Sequence, residues 1–229
     1  MKMKFYGGES RTGEPIDQYL DREIFQGKEG GVFVELGGYD GQFYSNTLFF
    51  EEERKWTGIL IEPSPAYFEC AKRRDALVFH YACVDDPSIK SLAGHFPGTP
   101  VDALNTSTVR KKGTNEIPTT TLSKILDRCN MQEIDFLSLD VEGVELQVLR
   151  GMGEYRPKYI LIETFGMSVK QINDWMVEAG YSYLENLTEF NRKKNPTWDG
   201  THQDFLWKYT PEIKLEARKR GDERCFLVY

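Results

Sequence analysis

"VFVELGGYDGQF", residues 32–43, is an apolar run that reaches an acid, Glu35, and then breaks into glycines. A buried strand ending in such a turn lets backbone approach a nucleotide-like ligand closely. A dinucleotide fingerprint would read G-x-G-x-x-G. Counted from Gly37, the second and third glycines are replaced by Tyr39 and Gln42, so that pattern fails. What stands instead is an acid-x-Gly-x-x-x-Gly arrangement of Glu35, Gly37 and Gly41.

Working outward, four more apolar runs of strand length follow: "TGILIE" (57–62), "ALVFHYACV" (76–84), "IDFLSLDV" (134–141) and "KYILIE" (158–163). Continuous rather than alternating apolarity suits parallel strands buried on both faces. Helical signals lie between them. Ser45 is placed to cap "NTLFFEEER", and Ser64 to cap a helix with Pro65 at its first position. In "TTLSKILDRC", Leu122, Ile125, Leu126 and Cys129 share one helical face. "VELQVLRGM" is a short helix ending near Gly151 or Gly153. "MSVKQINDWMVEAG" has a Ser168–Gln171 capping box, a Met167–Ile172 staple and Gly180 as terminator. Repeated βαβ units imply a parallel sheet with helices on both sides.

"YSYLENL" and "QDFLWKY" then follow without an intervening helix, as an antiparallel edge pair. The predicted fold is α/β: three-layer and Rossmann-like, with a seven-stranded, mostly parallel sheet whose antiparallel C-terminal pair is the ending expected of the seven-stranded methyltransferase fold. One domain spans 1–229. Residues 1–30 form an N-terminal cover, 85–118 an insertion with short strands, 186–202 a candidate substrate lid, and 210–229 a tail that the pattern does not place.

The 229 residues carry a net charge of −7, 40% apolar and 28% charged side chains. That balance fits a soluble globule and argues against nucleic-acid binding driven by charge. The four cysteines (Cys70, Cys83, Cys129, Cys225) form no CxxC pair. They read as reduced, mostly buried thiols of a cytoplasmic protein rather than zinc ligands or a disulfide framework. No secretory leader and no membrane span are predicted, so the glycosylation patterns at Asn105 and Asn186 read as chance.

The turn after the first strand suits S-adenosylmethionine, which has an amino-acid end, a ribose and an adenine but no pyrophosphate. Gly37, Gly38, Tyr39 and Gly41 would pass close to the methionine part. Glu35 could receive its ammonium, directly or through water, and Ser45 could help hold its carboxylate at a helix start. Glu62 ends the second strand 21 positions after Gly41, where an acid grips ribose hydroxyls. Pro63 and Ser64 follow it in the same site. Ala82, Cys83 and Asp85, at the end of the third run, would lie beside adenine.

These blocks, "FVELGGYDGQFYSNTLFFEEERKWTGILIEPSP", "IPTTTLSKILDR" and "IDFLSLDVEGVELQVLRGM", resemble the FkbM family of S-adenosylmethionine-dependent methyltransferases. The resemblance is closest to the branch shared with eukaryotic and viral homologues and covers roughly residues 30–165. "DVEG" (140–143) is its distinctive block. Many members carry Ala-Asn where this chain has Gly38-Tyr39. The resemblance implies a class I methyltransferase fold, the methyl donor and often O-methylation of a sugar or other hydroxyl.

The methyl acceptor should meet the donor beyond the carboxyl ends of the strands, where Glu35, Glu62, Asp140, Glu142 and Glu163 collect. A hydroxyl must also lose its proton, which calls for a general base. Asp140, Glu163 and His202 are the candidates, with Asp140 also counted in the donor site. The antiparallel strand should bring His202 and Asp204 to this face. Asp140, Glu142 and His202 could meet around a metal, but no ligand spacing demands one and none is expected. Arg192, Lys193, Lys194 and Trp198 in the lid, with Arg110, Lys111 and Lys112 in the insertion, could hold an anionic acceptor such as a sugar phosphate. The competing readings are a catalytically silent relative serving as an interaction or trafficking module, and a nicotinamide oxidoreductase, which Tyr39 and the terminal strand pair disfavour. The oligomeric state is left open.

Overall fold

The computed structural model describes residues 3–94, 104–105, 115–165, 169–188 and 202–212. Helix α1 (Ile16–Tyr19) passes directly into a π-helical turn (Leu20–Phe25). Then come β1 (Val32–Leu36), α2 (Leu48–Arg54), β2 (Thr57–Ile61), α3 (Tyr67–Cys70) and β3 (Ala76–Phe79). Four short strands follow, β4 (Ala82–Cys83), β5 (Ser91–Gly94), β6 (Leu104–Asn105) and β7 (Asn115–Thr120). The chain continues through α4 (Leu122–Arg128), β8 (Phe136–Leu139), α5 (Glu145–Arg150), β9 (Tyr159–Phe165), α6 (Val169–Ala179), β10 (Tyr181–Asn186) and β11 (His202–Tyr209).

The main sheet has seven strands in the order β3-β2-β1-β8-β9-β11-β10. Its first five are parallel, and β11 runs antiparallel to both β9 and β10. Strand order reverses between β1 and β8, which opens a crevice at their carboxyl ends.

The apolar runs are continuous because both sheet faces are covered. Val34, Leu36, Ile59, Ile61, Leu137, Leu139, Ile160 and Ile162 pack on one side against side chains of α4, α5 and α6. Phe33, Leu60, Phe136 and Leu161 alternate with them and pack on the other side. There they meet Leu20 and Phe25 from the N-terminal helical segment, Phe49 and Phe50 from α2, and Trp56. Each such side chain, fully buried, contributes about 1.5–3 kcal/mol. Trp56 satisfies its indole by donating to the Lys28 carbonyl at 2.7 Å.

Two expectations are corrected. The run 76–84 is not one strand. It leaves the main sheet after Phe79, and Ala82 and Cys83 pair instead with Thr119 and Thr120 in a second sheet ordered β4-β7-β5-β6. The break falls at His80, whose ring bonds to the Pro63 carbonyl at 2.9 Å and stacks on Tyr67. The helix expected from Ser64 is a single turn starting at Tyr67, because Ser64 and Pro65 are spent in a turn that serves Glu62.

Helix α4 is capped by Thr121, which accepts from Lys124 N, and Gly180 at φ +98° ends α6. Met167 and Ser168 lie outside the described residues, as do 189–201 of the candidate lid, 213–229 of the tail, and Arg110, Lys111 and Lys112. Among the described residues Cys70, Cys83 and Cys129 are free thiols, and no helix is long and apolar enough to cross a membrane.

Candidate active site

The turn after β1 is built by close approach. Gly37 has φ +82°, and a Cβ there would stand 1.6 Å from the Asp140 carbonyl oxygen. The turns after β1 and β8 therefore touch backbone to backbone, and Asp140 N donates to Leu36 O at 3.1 Å. Gly38 packs on Leu60 and Cys70, and Gly41 N closes the turn on Gly38 O at 2.6 Å. Asp40 accepts from Gln42 N and Phe43 N. A pocket opens between the tips of β1 and β8, lined by Glu35, Gly37, Gly38, Tyr39, Ser45 and Asp140, with Phe43 and Tyr44 on the same lining.

Glu35 is 4% exposed and its carboxylate is already engaged by the protein. It accepts from the Ser45 hydroxyl at 2.9 Å, the Thr47 hydroxyl at 2.6 Å and Asn46 N at 3.1 Å. The Ser45 hydroxyl in turn accepts from Leu48 N at 3.1 Å at the start of α2. Behind them lies buried Arg73, 3.6 Å from Glu35 and 2.6 Å from Glu51. Its guanidinium also donates to Gly41 O and to the Thr47 hydroxyl. Arg73, Thr47 and Glu51 were not among the sequence-derived site residues. Glu35 and Ser45 line the pocket and at the same time hold the turn together.

Glu62, 5% exposed at the tip of β2, accepts from Tyr39 N and Ser64 N, each at 2.7 Å. The two amides fix the carboxylate between the first turn and the second. Between them these amides orient the carboxylate. Tyr39 pays for that placement with φ +45°, while the Cys70 thiol donates to its carbonyl at 3.0 Å. Pro63 and Ser64 continue this turn. Ala82 and Cys83 sit buried in β4 and do not line the pocket between β1 and β8. Burial pushes the Cys83 thiol up to about 12, and Asp85 is exposed.

The acceptor side is a concentration of acids. Oxygens of Asp140, Glu142 and Glu163 all lie within 4.8 Å of one another. Asp140 and Glu163 are hydrogen-bonded carboxyl to carboxylate; burial first, then the Glu163 charge, raises Asp140 well above the usual carboxylate range. Glu142 reaches the group from a left-handed backbone, φ +56°. Asp204 stands directly opposite Glu163 in the β9–β11 ladder. Burial, then the Glu163 charge, lifts Asp204 to about 7. Glu145, at the start of α5, accepts from Gly143 N at 2.8 Å and is raised by burial. Asp204 was expected on this face but given no role, and Glu145 was not among the sequence-derived site residues. Their signal was present only as acids inside otherwise apolar strand and helix patterns. His202 pairs with Phe165 at the start of β11 on this end of the sheet; its side chain lies outside the described residues.

This geometry can hold a nucleoside-type ligand over the first turn, with a proton-sharing carboxyl pair beside it. The family model described as the methyltransferase FkbM domain matches residues 35–183. Among solved structures, the chain is similar to precorrin-6y C5,15-methyltransferase from Geobacter metallireducens GS-15, with 8% identity and a TM-score of 0.50 over 90% of this chain and 94% of that one. It is also similar to the methyltransferase FkbM from Methylobacillus flagellatus KT, with 15% identity and a TM-score of 0.48 over 80% of this chain and 44% of that one. MtNAS, solved in complex with S-adenosylmethionine, gives 12% identity and a TM-score of 0.45 over 85% of this chain and 61% of its own. The chain thus spans less than two thirds of some structures it resembles, and these likenesses concern the fold. No curated protein matches the sequence.

Proposed function

The chain belongs to the FkbM family of S-adenosylmethionine-dependent methyltransferases, and we propose that it methylates a hydroxyl group, that of a sugar or sugar-containing small molecule. The observation that carries the hydroxyl assignment is the Asp140–Glu163 pair at the end of the donor pocket. A hydroxyl acceptor needs a base. Asp140 lines the pocket and is held in an environment that makes its carboxylate a stronger base than a solvated one.

The residues present fit the donor. Gly37 and Gly38 leave room for close passage, and Glu62 is oriented at the tip of β2 where ribose hydroxyls would donate to it. When bound, S-adenosylmethionine supplies a methyl group on a sulfonium. In the ionised form of the pair, after its shared proton has left, Asp140 would receive the acceptor's hydroxyl proton and share it with Glu163, while the pocket walls align the acceptor and exclude water. Glu35 acts through Ser45 and Asn46, shaping the turn that the methionine part follows. A cytoplasmic setting, in keeping with three free thiols, belongs to the same proposal.

The test is transfer of tritiated methyl from the donor across a panel of sugars, sugar nucleotides and small alcohols. We expect one class to be labelled, with Asp140→Asn lowering kcat by about 10²–10⁴-fold and donor affinity preserved. Labelling of no hydroxyl compound, or an unchanged kcat in Asp140→Asn, would remove the assignment.

A further inference from the structure

The lip of the donor pocket is aromatic. Phe43 and Tyr44 line the same pocket as Gly37 and Asp140, yet are 46% and 63% exposed. Single exposed apolar side chains are ordinary on a protein surface. These two are adjacent, with ring centroids 4.1 Å apart, and the half-buried Tyr39 ring meets Phe43 edge-on at 6.5 Å. Together they make one apolar surface that begins at the pocket wall. An apolar patch at the rim of a polar pocket marks a surface for a ligand.

The surface is fixed through its backbone. Phe43 N donates to Asp40 at 2.7 Å. Tyr44 takes a left-handed backbone, φ +53°, which a bulky residue rarely adopts. The N-terminal segment braces it there. Gly7 forms a parallel bridge with Tyr44, and the neighbouring Tyr6 N donates to the buried Asp17 carboxylate at 2.7 Å. Backbone strain of this kind concentrates at ligand clamps. Rings already held in place also lose little freedom when a ligand lies on them.

The rest of the lining sets the chemistry of the occupant. Asp140, Ser138 and Asn46 share it, and the Asn46 amide donates to the Ser138 hydroxyl at 3.1 Å. The charged residues of the lining, Glu35 and Asp140, are both acids, which disfavours a phosphate or carboxylate there. An uncharged sugar ring matches both halves. Its C–H face carries partial positive charge and suits the negative face of an aromatic ring, while its hydroxyls donate to a carboxylate. A flat phenol is held best between parallel walls, whereas Phe43 and Tyr44 are tilted 41° to each other and stand open. We propose that Phe43 and Tyr44 determine acceptor specificity: an uncharged pyranose ring lies on them and turns a hydroxyl toward Asp140. Methylation of that hydroxyl rests on the methyl-transfer reading; recognition of the ring does not.

The experiment uses the full chain with S-adenosylhomocysteine and a panel of uncharged methyl pyranosides, with phenol, catechol and sugar phosphates alongside. Saturation-transfer NMR with irradiation of the protein's aromatic protons reads both binding and the face in contact. At least one uncharged pyranoside should bind, more tightly than its phosphate and than the phenols, with saturation strongest on one face of its ring. Phe43→Ala and Tyr44→Ala should each weaken it about fivefold or more, and Tyr44→Phe should keep it, since the ring and not the hydroxyl is used. Both Ala variants should melt with wild type and bind S-adenosylhomocysteine as wild type does, because the rings are exposed and do not grip the ribose. No pyranoside binding, preference for a phenol or a sugar phosphate, or binding that survives both Ala substitutions overturns the proposal. Weakened S-adenosylhomocysteine binding in the Ala variants overturns it too, by assigning the rings to the donor. Donor-product binding without pyranoside binding removes the aromatic platform alone. Pyranoside binding that depends on both rings, without donor-product binding, leaves the platform and removes the methyl-transfer reading.

Discussion

At Gly37 a methyl group in place of hydrogen would stand 1.6 Å from the Asp140 carbonyl oxygen. That contact cannot relax by side-chain motion, because both partners are backbone. Gly37→Ala is therefore expected to separate the turns after β1 and β8, lose donor binding and destabilise the fold by more than about 2 kcal/mol. Urea denaturation and product-analogue titration read the two effects; a variant that keeps both would show that the turns need not touch. Gly37, Gly41 and Glu62 were legible in the sequence because their roles depend on backbone and strand-end position, which spacing reports. Glu35 was legible as a site residue, but its partners were not. Whether an acid faces ligand or protein depends on which hydroxyls the next helix brings back, and only the fold decides that.

Helix α2 and the loop before it are held to the sheet by one buried guanidinium. Arg73 ties Glu51 in α2, Glu35 in β1 and the Gly41 carbonyl in the turn. Arg73→Met should leave two buried carboxylates without their cation and cost about 3–5 kcal/mol. Arg73→Lys, which cannot reproduce the forked contacts, should recover only part of it. Denaturant midpoints check both; a loss below about 1 kcal/mol for Arg73→Met would show the network to be dispensable. At this scale the sequence reported element type well, since β1, β2, β8 and β9 are buried on both faces and α4 and α6 carry clear caps. It misplaced the third run because apolarity alone does not say which sheet a strand joins. Ala82 and Cys83 are buried in the second sheet. The one-turn α3 was misjudged because Ser64 serves Glu62 before it can serve a helix.

Among the described residues, three carboxyls raised by burial, Asp204, Asp140 and Glu145, belong to β11, the tip of β8 and the start of α5. Asp204 is lifted to about 7. Between the ordinary carboxylate range and about 7, folded Asp204 holds a proton that the unfolded chain has released. Stability should therefore fall as pH rises through that window and level off above it. The protein should be more stable at about pH 5.5 than at about pH 7.5, and Asp204→Asn should gain most at the higher pH. Melting curves of both proteins at both values test this; an opposite slope, or loss of stability in Asp204→Asn at the higher pH, would show these acids to be neutralised by other means. The mostly parallel sheet and the antiparallel ending were readable from the sequence, because uninterrupted apolar runs separated by helices admit few topologies. That Asp140, Glu163 and Asp204 share one face was also readable, but their close pairing and burial were not, since these depend on the register of β8, β9 and β11.

The most direct test of a donor held between two strand tips is calorimetric titration of S-adenosylhomocysteine into wild type and Glu62→Gln. Glu62 should receive two ribose hydroxyls, and hydrogen bonds to a charged group are worth about 1.5–3 kcal/mol each. One site per chain is predicted, at least about tenfold weaker in the variant with folding intact. Absence of heat at millimolar ligand, or equal affinity in the two proteins, would contradict it.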